Sequence, residues 1–212
     1  MMQIQRFEFN QIEENTYVIY DETNDAAIID CGAFFSEEQA RLQQFISGHQ
    51  LSLKQLLNTH LHADHIFGNQ FIYDTYGILS AYHQLEDSIP PLKEQSKYFN
   101  LDIMEEKLPA AYYIDEGDLI SIGNMRLKAL LIPGHSPGSL CFYSEADHCV
   151  FTGDVLFEES IGRSDLWGGN YPRLVAGIKE KLLTLPDNTV VYPGHGPATT
   201  IQHEKLYNPY LK

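Results

Sequence analysis

With 212 residues, 43% of them apolar and 20% charged, the chain can bury a core, and wholesale disorder is excluded. Its 14 Lys and Arg against 29 Asp and Glu give a formal net charge of -15, the reverse of what binding nucleic acid or an anionic membrane requires. The N-terminus lacks the unbroken apolar run of a secretory signal, and runs such as Ala129-Leu130-Leu131-Ile132 fall far short of the roughly 20 residues that span a bilayer, so a soluble, cytoplasmic protein is expected.

The first thirty residues read as strands, with Tyr17-Val18-Ile19-Tyr20 and Ala26-Ala27-Ile28-Ile29 divided by a turn at 21–25. A helix follows. Ser36 is its expected N-cap, Gln39 completes a capping box, Phe35 and Ala40 take the staple positions, Leu42, Phe45 and Ile46 form its buried face, and Gly48 closes it left-handed. Leu53 to Leu57 reads as a strand leading into a histidine-rich turn, Asp64 to Tyr76 as a helix ended by Gly77, and Ile78 to Tyr82 as a short strand. Helical pieces interrupted by Pro90-Pro91 are expected between Leu85 and Lys107.

In the second half, Leu119 to Ile122 and Met125 to Ile132 flank Gly123-Asn124 as a hairpin. Leu140 to Tyr143, Cys149 to Phe151 and Thr189 to Tyr192 read as strands, and Leu174, Val175, Ile178, Leu182 and Leu185 mark one helix face that stops before Pro186. Two similar halves of this kind suggest two sheets stacked face to face with helices outside. Three cysteines, Cys31, Cys141 and Cys149, are too few for a disulfide framework. Cys141 and Cys149 flank the turn at 144–147, which leaves a cross-strand bridge open beside two buried thiols.

Chemistry concentrates in Thr59-His60-Leu61-His62-Ala63-Asp64-His65. Neutral imidazole and carboxylate are the donors preferred by zinc, iron and manganese. His60 and His62, two apart on an extended strand end, point the same way, while Asp64 and His65 turn toward a neighbouring point, so the spacing suits two adjacent metal ions. His135, Asp154 and His195 each follow a short apolar strand and a glycine, which lets the backbone turn sharply beside a metal. His49, His83, His148 and His203 read as structural. Asp30, after Ile28-Ile29, can cap a strand-end turn. Arg163, in Gly162-Arg163-Ser164-Asp165, either fixes a substrate carboxylate or pairs with Asp165.

The order His-x-His-x-Asp-His, Gly-His, Gly-Asp and a last Gly-His resembles the metallo-β-lactamase superfamily from Asp30 to the tail. The resemblance implies an αβ/βα four-layer sandwich, with two stacked mixed β-sheets flanked by helices, as a single domain over residues 1–212. It implies two divalent ions, zinc foremost with iron or manganese as alternatives. His60, His62 and His135 would hold the first, Asp64, His65 and His195 the second, and Asp154 would bridge both. Asp30 would support the ligands from behind them, and Asp64 would also orient a metal-bridging hydroxide toward an acyl carbonyl. Two cations against two aspartates and a hydroxide leave the pocket mildly positive, so a small anionic acyl or thioester substrate is expected, with no nucleic acid and no membrane as partner.

The Gly162-Arg163-Ser164-Asp165 element and the tail from Pro193 to Ile201, with Glu204 and Asn208-Pro209, resemble short relatives of glyoxalase II, the hydroxyacylglutathione hydrolases. Only 17 of the 212 residues follow His195, so no separate C-terminal helical glutathione-binding domain is expected, and the usual Gly-His-Glu-Tyr is here Gly194-His195-Gly196-Pro197. The expected activity is acyl-bond hydrolysis, foremost of a hydroxyacylglutathione-type thioester, with a smaller thioester or ester left open. A one-iron persulfide dioxygenase, which shares the Gly-Arg-Thr-Asp-like element, and a catalytically silent metal-binding member are the alternatives. The resemblance also argues against antibiotic hydrolysis, since the β-lactamases lack a bridging aspartate.

Overall fold

A computed structural model describes residues 1–101, 103 and 108–212; the end of the expected helical stretch, at 102 and 104–107, lies outside the described residues. Strands β1 (Gln3–Phe9), β2 (Glu14–Tyr20) and β3 (Asp25–Ile29) lead into helix α1 (Ser36–Gly48). Strand β4 (Ser52–Leu57), helices α2 (Ala63–Ile66) and α3 (Asn69–Tyr76), strand β5 (Ser80–Ala81), a 3-10 turn over Gln84–Ser88, helix α4 (Leu92–Gln95) and a second 3-10 turn over Ser96–Phe99 complete the first half. The second half holds β6 (Leu119–Ile122), β7 (Met125–Leu131), β8 (Leu140–Ser144), β9 (Cys149–Gly153), β10 (Leu156–Phe157) and β11 (Ser160–Ile161). It ends with helix α5 (Tyr171–Gly177), which runs into a π-helical turn, then β12 (Val190–Pro193), β13 (Thr199–Thr200) and helix α6 (Ile201–Tyr207).

Two mixed sheets result, one in the order β1-β2-β3-β4-β5 and one in the order β13-β12-β9-β8-β7-β6. Alternation along each strand divides the core into layers. Tyr17, Ile19, Ala27 and Ile29 of the first sheet meet Leu127, Ala129, Phe142 and Phe151 of the second. The residues between them face outward: Val18, Ala26 and Ile28 pack on Leu42, Ile46 and Ile72 of the first half's helices. Leu130, Cys141 and Val150 pack on Leu174, Ile178 and Leu182. Helix, sheet, sheet and helix thus form the expected αβ/βα sandwich. Among the described residues no helix is long and apolar enough to cross a membrane.

Several local expectations need correction. Helix α1 is capped at Phe35, one residue before Ser36, and the acceptor three residues on is Glu38, whose carboxylate takes Phe34 N at 2.9 Å and Phe35 N at 3.0 Å. A phenylalanine offers no side-chain oxygen, so Glu38 supplies the acceptor and Gln39 plays no capping part. The left-handed residue beyond the helix is Gln50, with φ 53°, not Gly48. The helix expected from Asp64 to Tyr76 is broken at Phe67-Gly68, because Gly68 turns in to donate to Cys31 O at 2.8 Å. The strand expected over 78–82 is reduced to Ser80–Ala81. Cys141 and Cys149 are free thiols: they lie in different core layers on opposite faces of the second sheet, which rules out a bridge.

Candidate metal centre

The turn after β4 is held by side chains and by the second sheet. Thr59 N donates to Asp30 Oδ1 (2.8 Å), Leu61 N to Glu86 Oε2 (2.8 Å) and Ala63 N to Gln95 Oε1 (3.0 Å), while Gln95 Nε2 returns a bond to Leu61 O (2.9 Å). Leu140 N of the second sheet donates to Thr59 O at 2.8 Å. A buried, irregular backbone must find partners of this kind, and they fix where the histidines between them point.

The other three candidates arrive one per strand end: His135 after β7, Asp154 after β9 and His195 after β12. Two glycines permit the approach. Gly153 has φ 48°, and a methyl group on it would strike the Thr59 side chain. A methyl on Gly194 would strike Asp154 Oδ1 and lie 2.7 Å from His65 Cε1. All seven residues expected from the sequence meet in one place.

Hydrogen-bond partners assign the protons on four of the imidazoles. Thr59 Oγ1 donates to Asp30 Oδ2 (2.7 Å), so it accepts from His60 Nδ1 (3.0 Å). His135 Nδ1 faces the Arg163 carbonyl at 2.9 Å, His195 Nδ1 the Ile12 carbonyl at 3.0 Å and His65 Nδ1 the Asp30 carboxylate at 2.9 Å. Each Nδ1 therefore carries a proton and each Nε2 presents a lone pair. His60 Nε2 and His135 Nε2 face one another at 3.1 Å with no proton between them. His65 Nε2 lies 3.4 Å from Asp64 and 3.3 Å from Asp154, and His195 Nε2 lies 3.1 Å from Asp64. Lone pairs aimed at lone pairs and carboxylates repel unless a cation lies among them.

The orphaned atoms agree. His62 Nε2, His65 Nε2 and Asp154 Oδ1 are buried without a hydrogen-bond partner. The donor atoms of His60, His62 and His135 fall within 4.8 Å of one another, as do those of Asp64, His65 and His195. Asp154 reaches toward both groups, 3.7 Å from His135 Nε2 and 3.8 Å from His195 Nε2. The donor atoms of Asp30, His60 and His65 also lie within 4.8 Å of one another. Asp30, however, already accepts from Thr59 and from the protonated nitrogen of His65, so that trio is a hydrogen-bonded support and not a cradle for an ion. These donors fit two divalent cations.

Electrostatics separates the two groups. Burial, reinforced by neighbouring imidazoles, holds His60 well below the usual histidine range and brings His62 down to about 3. Burial also lowers His135 against the pull of Asp154. For His65, burial opposes the charge, but Asp64, Asp154 and Asp30 outweigh it and push the imidazole up; for His195 the nearby carboxylates of Asp64 and Asp154 do the same. The carboxyls of Asp64 and Asp154 resist burial and are held low, chiefly by His65.

A cavity of about 860 Å³ opens over the centre, lined by His62, Asp64, Asp154 and Arg163 among others. Arg163 is bound to Asp165 by two bonds of 2.8 Å, so the structure favours the ion pair of the two readings offered for it. His83 caps the 3-10 turn through Leu85 N, and His203 bonds Glu159 at 3.0 Å, both outside the centre.

Three contributors escaped the sequence reading. Glu86 is fully buried and joins the two halves of the site, accepting from Leu61 N in one and from Ser136 Oγ (2.7 Å) and Gly138 N (2.6 Å) in the other. Gln95 holds the turn at 61–63. Glu14 is fully buried 3.9 Å from His65 Nδ1, and burial pushes its carboxyl well up. None sits in a pattern of spacing; their work is to bond backbone or fill a buried corner.

The metallo-beta-lactamase superfamily profile matches residues 11–195. The chain belongs to that superfamily. Its paired clusters are the binuclear site typical of the superfamily's hydrolases. A Haemophilus influenzae protein named hydroxyacylglutathione hydrolase GloC is 35% identical over 212 residues, covering 99% of this chain and 98% of that protein. Among solved structures, BLEG-1, a B3 metallo-beta-lactamase, is 34% identical with a TM-score of 0.89 over 99% of this chain and 100% of its own. TTHA1623, solved in a di-iron-bound form, is 31% identical with a TM-score of 0.85 over 98% and 100%.

Proposed function

We propose that this superfamily member is a binuclear metallohydrolase that cleaves an acyl bond, foremost a thioester of the hydroxyacylglutathione type. The observation that carries the reading is the convergence of Nε2 lone pairs on two points with the Asp154 carboxylate between them. In this reading residues 1–212 act as one unit; His60, His62 and His135 would hold one ion, Asp64, His65 and His195 would hold the other, and Asp154 would serve both.

When bound, two divalent cations lower the pKa of a water and polarise an acyl carbonyl. The protein's own part is positioning. Asp30 fixes the ring of His65, and the carbonyls of Arg163 and Ile12 fix those of His135 and His195. Asp64, on the cavity wall, would orient the attacking water toward the acyl carbonyl. Glu86 locks the two ligand loops together, so that the carbonyl and the nucleophile meet in one geometry. Zinc suits nitrogen and carboxylate donors of this kind; iron is the second choice, since the similar TTHA1623 binds two.

The similar GloC is named for the thioester reaction and the similar BLEG-1 for β-lactam cleavage, so the test compares both substrates. Protein purified without added metal is analysed for bound elements and assayed with S-lactoylglutathione and a chromogenic β-lactam. Two ions per chain with thioester turnover are expected. One iron with oxygen uptake on glutathione persulfide, or β-lactam turnover without thioester turnover, would overturn the reading.

A further inference from the structure

The mouth of the metal cavity carries an aromatic pair that no catalytic role requires. Trp167 sits 6.0 Å, ring to ring, from His62 and meets Tyr98 edge to face at 5.6 Å. The two come from separate loops. Tyr98 projects from the 3-10 turn over Ser96–Phe99, just after the buried Gln95 that anchors the turn at 61–63. Trp167 sits on a tight turn pinned to the loop of His135, where Asn170 N donates to Gly134 O at 2.8 Å and Gly168, with φ 74°, lies against Pro137.

Tyr98 is 76% exposed, the most exposed aromatic side chain among the described residues, so its ring stands in water beside the cavity and is not part of the core. Ile12, Phe99 and Leu166 extend the apolar lining on either side. Among the described residues that line the cavity, Arg163 is the one arginine or lysine, and it is already paired with Asp165. A flat apolar group on a substrate therefore finds matching apolar surface beside the first cluster. An edge-to-face pair leaves ring faces free to stack, and such contacts are worth about 0.5–1.5 kcal/mol beyond the area they bury.

We infer that Tyr98 and Trp167 form an aromatic subsite that selects acyl groups carrying an aromatic ring close to the scissile carbonyl. The closeness follows from the 6.0 Å between the rings of Trp167 and His62, a residue of the first cluster. The inference rests on the acyl-hydrolase reading, and it narrows the acyl half of the substrate from a small hydroxyacyl group to an aryl-substituted one.

Trp167 is the chain's single tryptophan, so its emission reports directly on this subsite. The metal-loaded protein is titrated with mandelate and with lactate, which differ by the phenyl ring. Mandelate is expected to change the emission with half-saturation about tenfold lower than lactate, and Tyr98→Ala to shrink that gap to about twofold. Equal half-saturation, an unmoved emission with both acids, or a gap unchanged in Tyr98→Ala would overturn the subsite. Hydrolysis of S-mandeloylglutathione and S-lactoylglutathione is measured beside it. If neither is hydrolysed while the emission gap stands, the hydrolase reading fails and the subsite holds. Equal kcat/KM for both with no emission gap removes the subsite and leaves the hydrolase reading intact.

Discussion

The two halves of the metal centre solve opposite electrostatic problems. The cluster of His60, His62 and His135 is all nitrogen, buried and kept neutral, with His62 brought down to about 3. The cluster of Asp64, His65 and His195 gathers carboxylates around its imidazoles and pushes their pKa values up. One half offers ready lone pairs, and the other holds negative charge that a cation must balance. The difference teaches that both halves are oriented by hydrogen bonds, but only the second is supported by a carboxylate, Asp30 on His65.

Asp154 spans both clusters, so its replacement should erase the contrast. Asp154→Ala is expected to lower the metal content of both and to reduce hydrolysis by about 10³-fold or more, read by elemental analysis and initial rates. Asp64→Ala should sharpen the contrast: metal content falls toward one ion per chain, hydrolysis drops about 10²–10³-fold, and the circular dichroism of the fold is retained. Loss of both ions in that variant would show that the clusters are not separable.

Asp30→Asn removes a carboxylate acceptor shared by Thr59 and His65. Metal affinity should fall about 10–100-fold at the carboxylate-rich cluster and less at the histidine triad, as chelator competition would reveal. Glu86→Gln keeps one acceptor oxygen and turns the other into a donor facing a backbone N–H, which should cost about 1–3 kcal/mol in urea unfolding. Smallest of all, Arg163→Ala breaks an exposed pair and should leave metal content and unfolding temperature unchanged. A lowered metal content there would tie Arg163 to the centre through more than its carbonyl.

The same division governs what the sequence disclosed. His60, His62, Asp64 and His65 stand within six residues, and no packing role explains that density. His135, Asp154 and His195 are far apart, yet each follows an apolar strand and a glycine, which marks a strand end beside a site. The layered fold was legible because strand alternation and helix periodicity agree in both halves. Glu86 and Gln95 were not, since a side chain that bonds backbone amides needs no spacing and resembles any polar residue of a loop. The start of α1 at Phe35 and the break at Gly68 were missed for a related reason: Glu38 and the Cys31 carbonyl, local geometry rather than residue type, decide both. Arg163 stayed ambiguous until its two bonds to Asp165 were in view.

Anomalous scattering from crystals of protein purified without added metal tests the centre most directly. Two peaks are predicted, one among the Nε2 atoms of His60, His62 and His135 and one among Asp64, His65 and His195, with Asp154 touching both. A single fully occupied peak, or two peaks that leave His62 Nε2 or His65 Nε2 without a ligand bond, would contradict the account.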